Sequence, residues 1–267
     1  MRLRTLVSIV VMGMLPSLDA IASLKYDLSE ALNDAGRQRM LGQKMLKSYA
    51  QIRLDVDVVQ ARLELLQAID LYQQQHLNLL RFLEDEGTQQ QLSRIDALWS
   101  RYRQQLVATD GQQAVVKASV IQELSSVSEE LLLANEQLVK TLERNNDAKA
   151  GWLINISGRQ RMLSQRLAKT YLLSSLAKQP QSSEELLKVQ KEFSKTLHLL
   201  KTYNFGNLHI TDSLAKIEAE WLWFQSVLEQ DDGTRYNLIV AEASKQLLLQ
   251  LEQLTFMYQL EVQKKVK

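Results

Sequence analysis

The sequence predicts an all-α protein built as two tandem four-helix up-down bundles. Three observations predict it. Nine glycines and two prolines interrupt 267 residues, so long uninterrupted helices are expected. Leu, Gln, Glu, Lys and Ala, all strong helix formers, are abundant. A long segment also repeats itself 122 residues later, so the two halves share one fold.

Residues 1–22 read as a signal peptide. Arg2 and Arg4 form a charged start, an apolar run extends from Leu6 to Leu15, and Ala20-Ile21-Ala22 supplies a small-x-small cleavage pattern. The run is shorter than the ~20 apolar residues a helical span needs, although an uncleaved anchor is the alternative. No later segment is long and apolar enough to span. Removing the leader takes two arginines and one aspartate, which leaves a neutral chain. That balance argues against nucleic acid as a partner, since phosphate contacts need a basic excess. The expectation is a periplasmic protein, soluble after cleavage. Cysteine is absent, which excludes disulfides, thiolate metal sites and cysteine nucleophiles.

The repeat is clearest where Asn33-Asp34-Ala35-Gly36-Arg37-Gln38-Arg39-Met40-Leu41 matches Asn155-Ile156-Ser157-Gly158-Arg159-Gln160-Arg161-Met162-Leu163. Lys47 matches Lys169, His76 matches His198 and Trp99 matches Trp221. Later the register slips by six, so that Glu136-Gln137-Leu138 matches Glu252-Gln253-Leu254. Residues 23–145 and 146–267 are therefore predicted as two domains. The helices of the first span 25–53, 57–84, 87–109 and 113–144. Those of the second span 148–178, 183–204, 208–230 and 235–265. Asp85-Glu86-Gly87, Asp110-Gly111, Pro180, Phe205-Gly206 and Asp232-Gly233 fall between them, where turns belong. In the fourth helix Leu124, Leu131 and Leu138 recur every seven residues as a seam, with Val127 and Leu142 beside them.

The first helix of each copy departs from a plain core pattern. At 100° per residue, Gly36, Arg39 and Gln43 share one face, opposite Leu41 and Met45. The apolar side is expected to face its own bundle and the Gly36 side to face away. Gly in a helix costs ~1 kcal/mol relative to Ala, so Gly36 and Gly158 suggest close approach by a backbone or a ligand. A guanidinium is planar, always charged and offers paired donors, which suits a small planar oxyanion. Two such helices packed through their glycines would hold one anion between Arg39 and Arg161. The alternative is that Arg37, Arg39, Arg159 and Arg161 are solvated or paired with carboxylates.

These two segments resemble the signature of the PilJ/NarX-type sensory domain, found in type IV pilus chemotaxis transducers and nitrate/nitrite sensor kinases. The resemblance covers both copies and implies extracytoplasmic four-helix bundles with the motif on the first helix. In the nitrate sensors this motif binds nitrate across a dimer interface. Carried over, the implied ligand-binding residues are Gly36, Arg39, Gly158 and Arg161. Arg37, Gln43, Arg159 and Gln165 are secondary candidates, with Arg37 and Arg159 as flanking or ion-paired residues. Arg37-Gln38 and Arg159-Gln160 stand where the nitrate sensors carry small or apolar residues, so this version is closer to the transducer form. The implied ligand is a small anion, nitrate or nitrite first. With no kinase, relay or methyl-accepting region in the sequence, the signal is expected to pass to a separate membrane sensor or transducer.

How the copies meet depends on Arg144-Asn145-Asn146-Asp147. If these residues reverse the chain, the two first helices run parallel side by side. If they continue a helix, the bundles stack end to end and a site requires a homodimer. Asn-Asn-Asp is turn-prone, which favours the reversal. The other features have plain readings. His76, His198 and His209 lack metal-ligand spacing, and Trp99, Trp221 and Trp223 are expected in the core. No cofactor, no metal and no enzyme activity is expected, because no catalytic constellation or phosphate loop is present. The rival to a sensor is an envelope or pilus-associated scaffold without a small-molecule ligand.

Overall fold

The computed structural model describes residues 26–110, 117–145, 148–178, 184–203, 205–230 and 234–266. Within them lie eight helices and no strand: α1 Leu28–Arg53, α2 Val58–Phe82, α3 Glu86–Asp110, α4 Ala118–Arg144, α5 Ala148–Ala177, α6 Glu184–Thr202, α7 Leu208–Leu228 and α8 Thr234–Val266. The predicted leader, and the turn residues Gly111, Asn146-Asp147, Pro180 and Asp232-Gly233, lie outside the described residues.

Local chemistry starts several helices. Asp27 caps α1 in a reciprocal box: its carboxylate accepts from the Glu30 amide at 2.9 Å, and Glu30 accepts from the Asp27 amide at 3.1 Å. Asp85 accepts from the Thr88 amide at the start of α3, and Asn207 accepts from the His209 and Ile210 amides at the start of α7. The α6–α7 turn uses left-handed backbone at Phe205 and Gly206, where glycine takes the conformation without a Cβ penalty.

The first bundle is a ring of α1, α2, α3 and α4, and the second a ring of α5, α6, α7 and α8. Consecutive helices run antiparallel. Along α1 and α2, Asp34 meets Gln75 while Lys47 meets Glu64. Along α3 and α4, Gln91 meets Thr141 while Arg101 meets Glu123. The predicted seam of α4 is buried throughout: Leu124, Val127, Leu131, Leu138 and Leu142. Trp99 stacks on Tyr72 with centroids 4.1 Å apart, and its indole N–H donates to Gln73 at 2.8 Å. Trp221 packs on Phe193 with centroids 4.2 Å apart. Trp223 does not join the core. It is 47% exposed, because a two-residue step carries it some 200° round α7 from Trp221.

The bundles lie side by side. α1 and α5 form the most extensive helix pair in the molecule, and α4 also touches α5. Arg39 and Gln43 on α1 meet Glu136 and Ser128 on α4, so α4 descends as α1 rises. Asn155 and Lys169 on α5 meet Glu143 and Glu129 on α4 in the same opposed sense. Hence α1 and α5 run parallel, and the end-to-end alternative is not the arrangement adopted. Enclosed by its own bundle and by α5, α1 is buried almost all round. Between Ala31 and Gln51 only Asn33, Asp34, Arg37 and Lys44 keep partial exposure.

Candidate ligand-binding site

The parallel contact between α1 and α5 brings the two Gly-x-x-Arg segments together. Side chains on a helix lean toward its N-terminus, so an arginine three residues after a glycine folds back over it. A Cβ at Gly36 would stand 3.4 Å from Arg39 Nη2. One at Gly158 would stand 3.2 Å from Arg161 Nη2 and 3.5 Å from Arg39 Nη2. The glycines therefore make room for guanidinium groups rather than for another backbone. Both guanidiniums, one from each copy, converge on Gly158.

Both side chains are fully buried, and their partners cross between copies. Arg39 Nη1 donates to Glu136 at 2.5 Å, and Nη2 donates to the Asn155 side chain at 2.9 Å and its carbonyl at 3.3 Å. Arg161 Nη1 donates to Glu252 at 3.0 Å, and Nη2 to the Asn33 side chain at 2.8 Å. The same carboxylates also take the flanking arginines of the opposite copy. Arg159 reaches Glu136 at 2.6 Å and Arg37 reaches Glu252 at 2.5 Å. Arg159 is further paired with Glu192. Each of the two glutamates thus straddles both copies.

Gln43 and Gln165 stand apart from this cluster. A turn further along, Gln43 donates to Ser128 on α4 at 3.4 Å and Gln165 to the Ser244 carbonyl on α8 at 3.0 Å. Both point into their own bundles rather than across the α1–α5 contact, contrary to the expected outward face.

Burial drives the arginines toward deprotonation, and for Arg161 the carboxylate of Glu252 only partly offsets it, leaving the group pushed down to about 10. Arg39 shifts down for the same reason, against Glu136. Burial alone raises Glu136 and Glu252. Their paired arginines outweigh it, and both carboxyls end below the usual range. The Nε atoms of Arg39 and Arg161 find no acceptor among the described residues. Arg37, Arg39, Arg159 and Arg161 thus share Glu136 and Glu252, with Glu192 on Arg159, and the cluster keeps buried N–H donors without an acceptor.

A family model described as the type IV pili methyl-accepting chemotaxis transducer N-terminal region, PilJ, matches residues 21–122 and 143–252. The chain belongs to the PilJ family. No curated protein and no solved structure matches it. The two PilJ segments contain α1 and α5 at corresponding places, in keeping with two tandem copies. PilJ domains are sensory and typically extracytoplasmic, and the family is non-catalytic. No helix of the described residues is long and apolar enough to cross a membrane.

Sequence reasoning did not reach Asn33, Asn155, Glu136 or Glu252 as partners of the PilJ arginines. The signal was present, since all four stand at repeat-equivalent positions. The repeated histidines have unlike surroundings. His76 is buried against Asp96 at 3.2 Å, whereas His198 is exposed. No group of three metal-ligating side chains occurs among the described residues.

Proposed function

We propose that this PilJ protein is exported through its leader, works in the periplasm, and binds a small planar oxyanion, nitrate or nitrite first, between Gly36–Arg39 and Gly158–Arg161. It hands its state to a separate membrane sensor or transducer. One observation carries the reading: two fully buried guanidiniums from different copies converge on Gly158, and each retains an Nε–H without an acceptor. A planar oxyanion accepts from both donors at once. The duplication supplies within one chain the two helices that a sensor subunit obtains by dimerising. An anion entering the cluster also competes with Glu136 and Glu252, the residues that tie the copies together. Ligand occupancy is thereby coupled to the packing of α1 on α5.

The test is a melting series with nitrate, nitrite and chloride. Nitrate at 100 times its dissociation constant is expected to stabilise by about 2.7 kcal/mol. Arg39→Lys and Arg161→Lys, which keep the charge but lose the planar fork, are expected to abolish that gain. The scaffold reading is favoured by a different observation: both Nη atoms of each arginine already have protein acceptors, so the network holds the copies together unaided. Melting that is indifferent to all three anions, yet lowered by both Arg→Lys changes, decides for the scaffold.

A further inference from the structure

Away from the arginine cluster, a cleft of about 640 Å³ opens where α4 of the first copy lies against α5 of the second. That is within the size range of small-molecule sites. At its polar end the Lys169 ammonium, almost wholly buried, donates to Glu129 at 2.6 Å. Arg166, behind the wall, binds the other Glu129 oxygen at 2.9 Å and Glu185 at 3.1 Å. The Thr170 hydroxyl, on the cleft wall and 7% exposed as a residue, has no partner. Ile121, Leu173 and Leu176 line the apolar part.

The repeat separates what the fold needs from what this cleft adds. Lys47, the counterpart of Lys169, is equally buried, and its carboxylate comes from its own bundle: Glu64 on α2, with a side chain 6% exposed. In the second copy Leu186 stands at the place of Glu64, and the carboxylate is supplied across the copy boundary by Glu129, whose side chain is 35% exposed. The counterpart of Glu129 is Lys245, which turns to Glu64 instead. Burying the lysine therefore does not require a carboxylate on the wall of a cleft. Here one is present beside a second, Glu185, and Lys169 and Thr170, which carry a buried ammonium and a buried unpartnered hydroxyl, line the same cleft.

We propose that this cleft binds an aliphatic α-amino acid as its zwitterion. The ligand carboxylate meets Lys169 and the Thr170 hydroxyl, the ammonium meets Glu129 and Glu185, and the side chain lies on Ile121, Leu173 and Leu176. A zwitterion presents both signs to a wall that carries both signs, so no unpaired charge is buried. Lys169 and Arg166 already balance Glu129 and Glu185, so a ligand carrying one net charge would upset that balance, whereas a zwitterion keeps it. The wall belongs to both copies, so the ligand acts on the contact between α4 and α5. The site is separate from the α1–α5 arginines, and its fate does not depend on nitrate binding there.

The test is calorimetric titration of the full chain with L-leucine, 4-methylpentanoate and isopentylamine. Leucine is expected to bind, with each single-charge analogue weaker by about tenfold or more. Thr170→Val removes a buried hydroxyl that has no partner, so the variant is expected to fold at least as well as the parent and to bind leucine more weakly. Ser174→Trp fills the cleft and is expected to abolish binding, and Trp223→Ala, at an exposed position on α7, to leave it unchanged. Absence of leucine binding by the parent chain overturns the proposal. So does 4-methylpentanoate binding as tightly as leucine, or unaltered leucine affinity in Thr170→Val.

Discussion

At Gly42 an added Cβ meets nothing within 4 Å, whereas at Gly158 it meets two guanidiniums. Those guanidiniums cannot withdraw freely, because each is pinned by a glutamate and an asparagine. Gly42→Ala is therefore expected to stabilise the protein by about 0.5–1 kcal/mol through helix propensity alone. Gly158→Ala is expected to destabilise by roughly 1–3 kcal/mol, the usual cost of overpacking. Gly36→Ala, with a single contact at 3.4 Å, is expected to fall between them. Urea denaturation of the three variants checks the order, and equal effects at Gly42 and Gly158 would refute the account. The Gly-x-x-Arg pattern was legible in the sequence because it is local and repeated. The atoms that the arginines contact were not, because Glu136 lies 97 residues from Arg39 and Glu252 lies 91 from Arg161. Position along the chain does not tell which helix closes over which face.

The same distinction between local and long-range information runs through the helices. Their existence and order were readable from breakers and periodicity, and their ends agree with the structure to within a few residues. The enclosure of α1 on all sides was harder to see. A wheel assigns one apolar face to a helix, but α1 is shared between two bundles, and its Arg39 and Lys47 are buried through pairing with glutamates. Lys47 and Lys169 follow this rule, each held by one glutamate in the interior. α7 shows the opposite case, an aromatic residue that the fold leaves outside. Trp221→Ala removes a core side chain packed between Phe193 and Phe224 and is expected to cost about 3–5 kcal/mol. Trp223→Ala, at an exposed position, is expected to stay within about 0.5 kcal/mol. Paired thermal melts distinguish the two, and a large loss at Trp223 would reveal a contact that its exposure does not suggest.

For the molecule as a whole, the joint between copies is electrostatic as well as apolar, so it responds to pH. Glu136 and Glu252 have folded values below the ordinary 4.5, and unfolding therefore takes up protons at low pH. Their contribution is complete above pH 4.5 and is lost as pH falls through their folded values. The melting temperature is expected to drop on acidification below pH 4.5, with a shallower drop in Glu136→Gln and Glu252→Gln. A drop as steep in both variants would assign the acid sensitivity to other groups. The charge pattern also makes the two halves unequal if separated. A pair of first halves, residues 26–145, would repeat the observed contacts: Arg39 on Asn33, Glu136 on Arg37, and Glu129 opposite Lys47 and Lys44. A pair of second halves, residues 148–266, would keep the arginine cluster but set Lys245 where Glu129 stands, against Lys169 and Arg166. Like charges at that distance oppose association, and no counterpart of Glu64 is present to neutralise them, since Leu186 holds its place. The first half is expected to form a homodimer and the second to associate about tenfold or more weakly. Lys245→Glu in the second half is expected to restore dimerisation. Sedimentation equilibrium on the three fragments reads this directly, and a Lys245→Glu fragment no more dimeric than its parent would remove Glu129 from the account of how the copies pair.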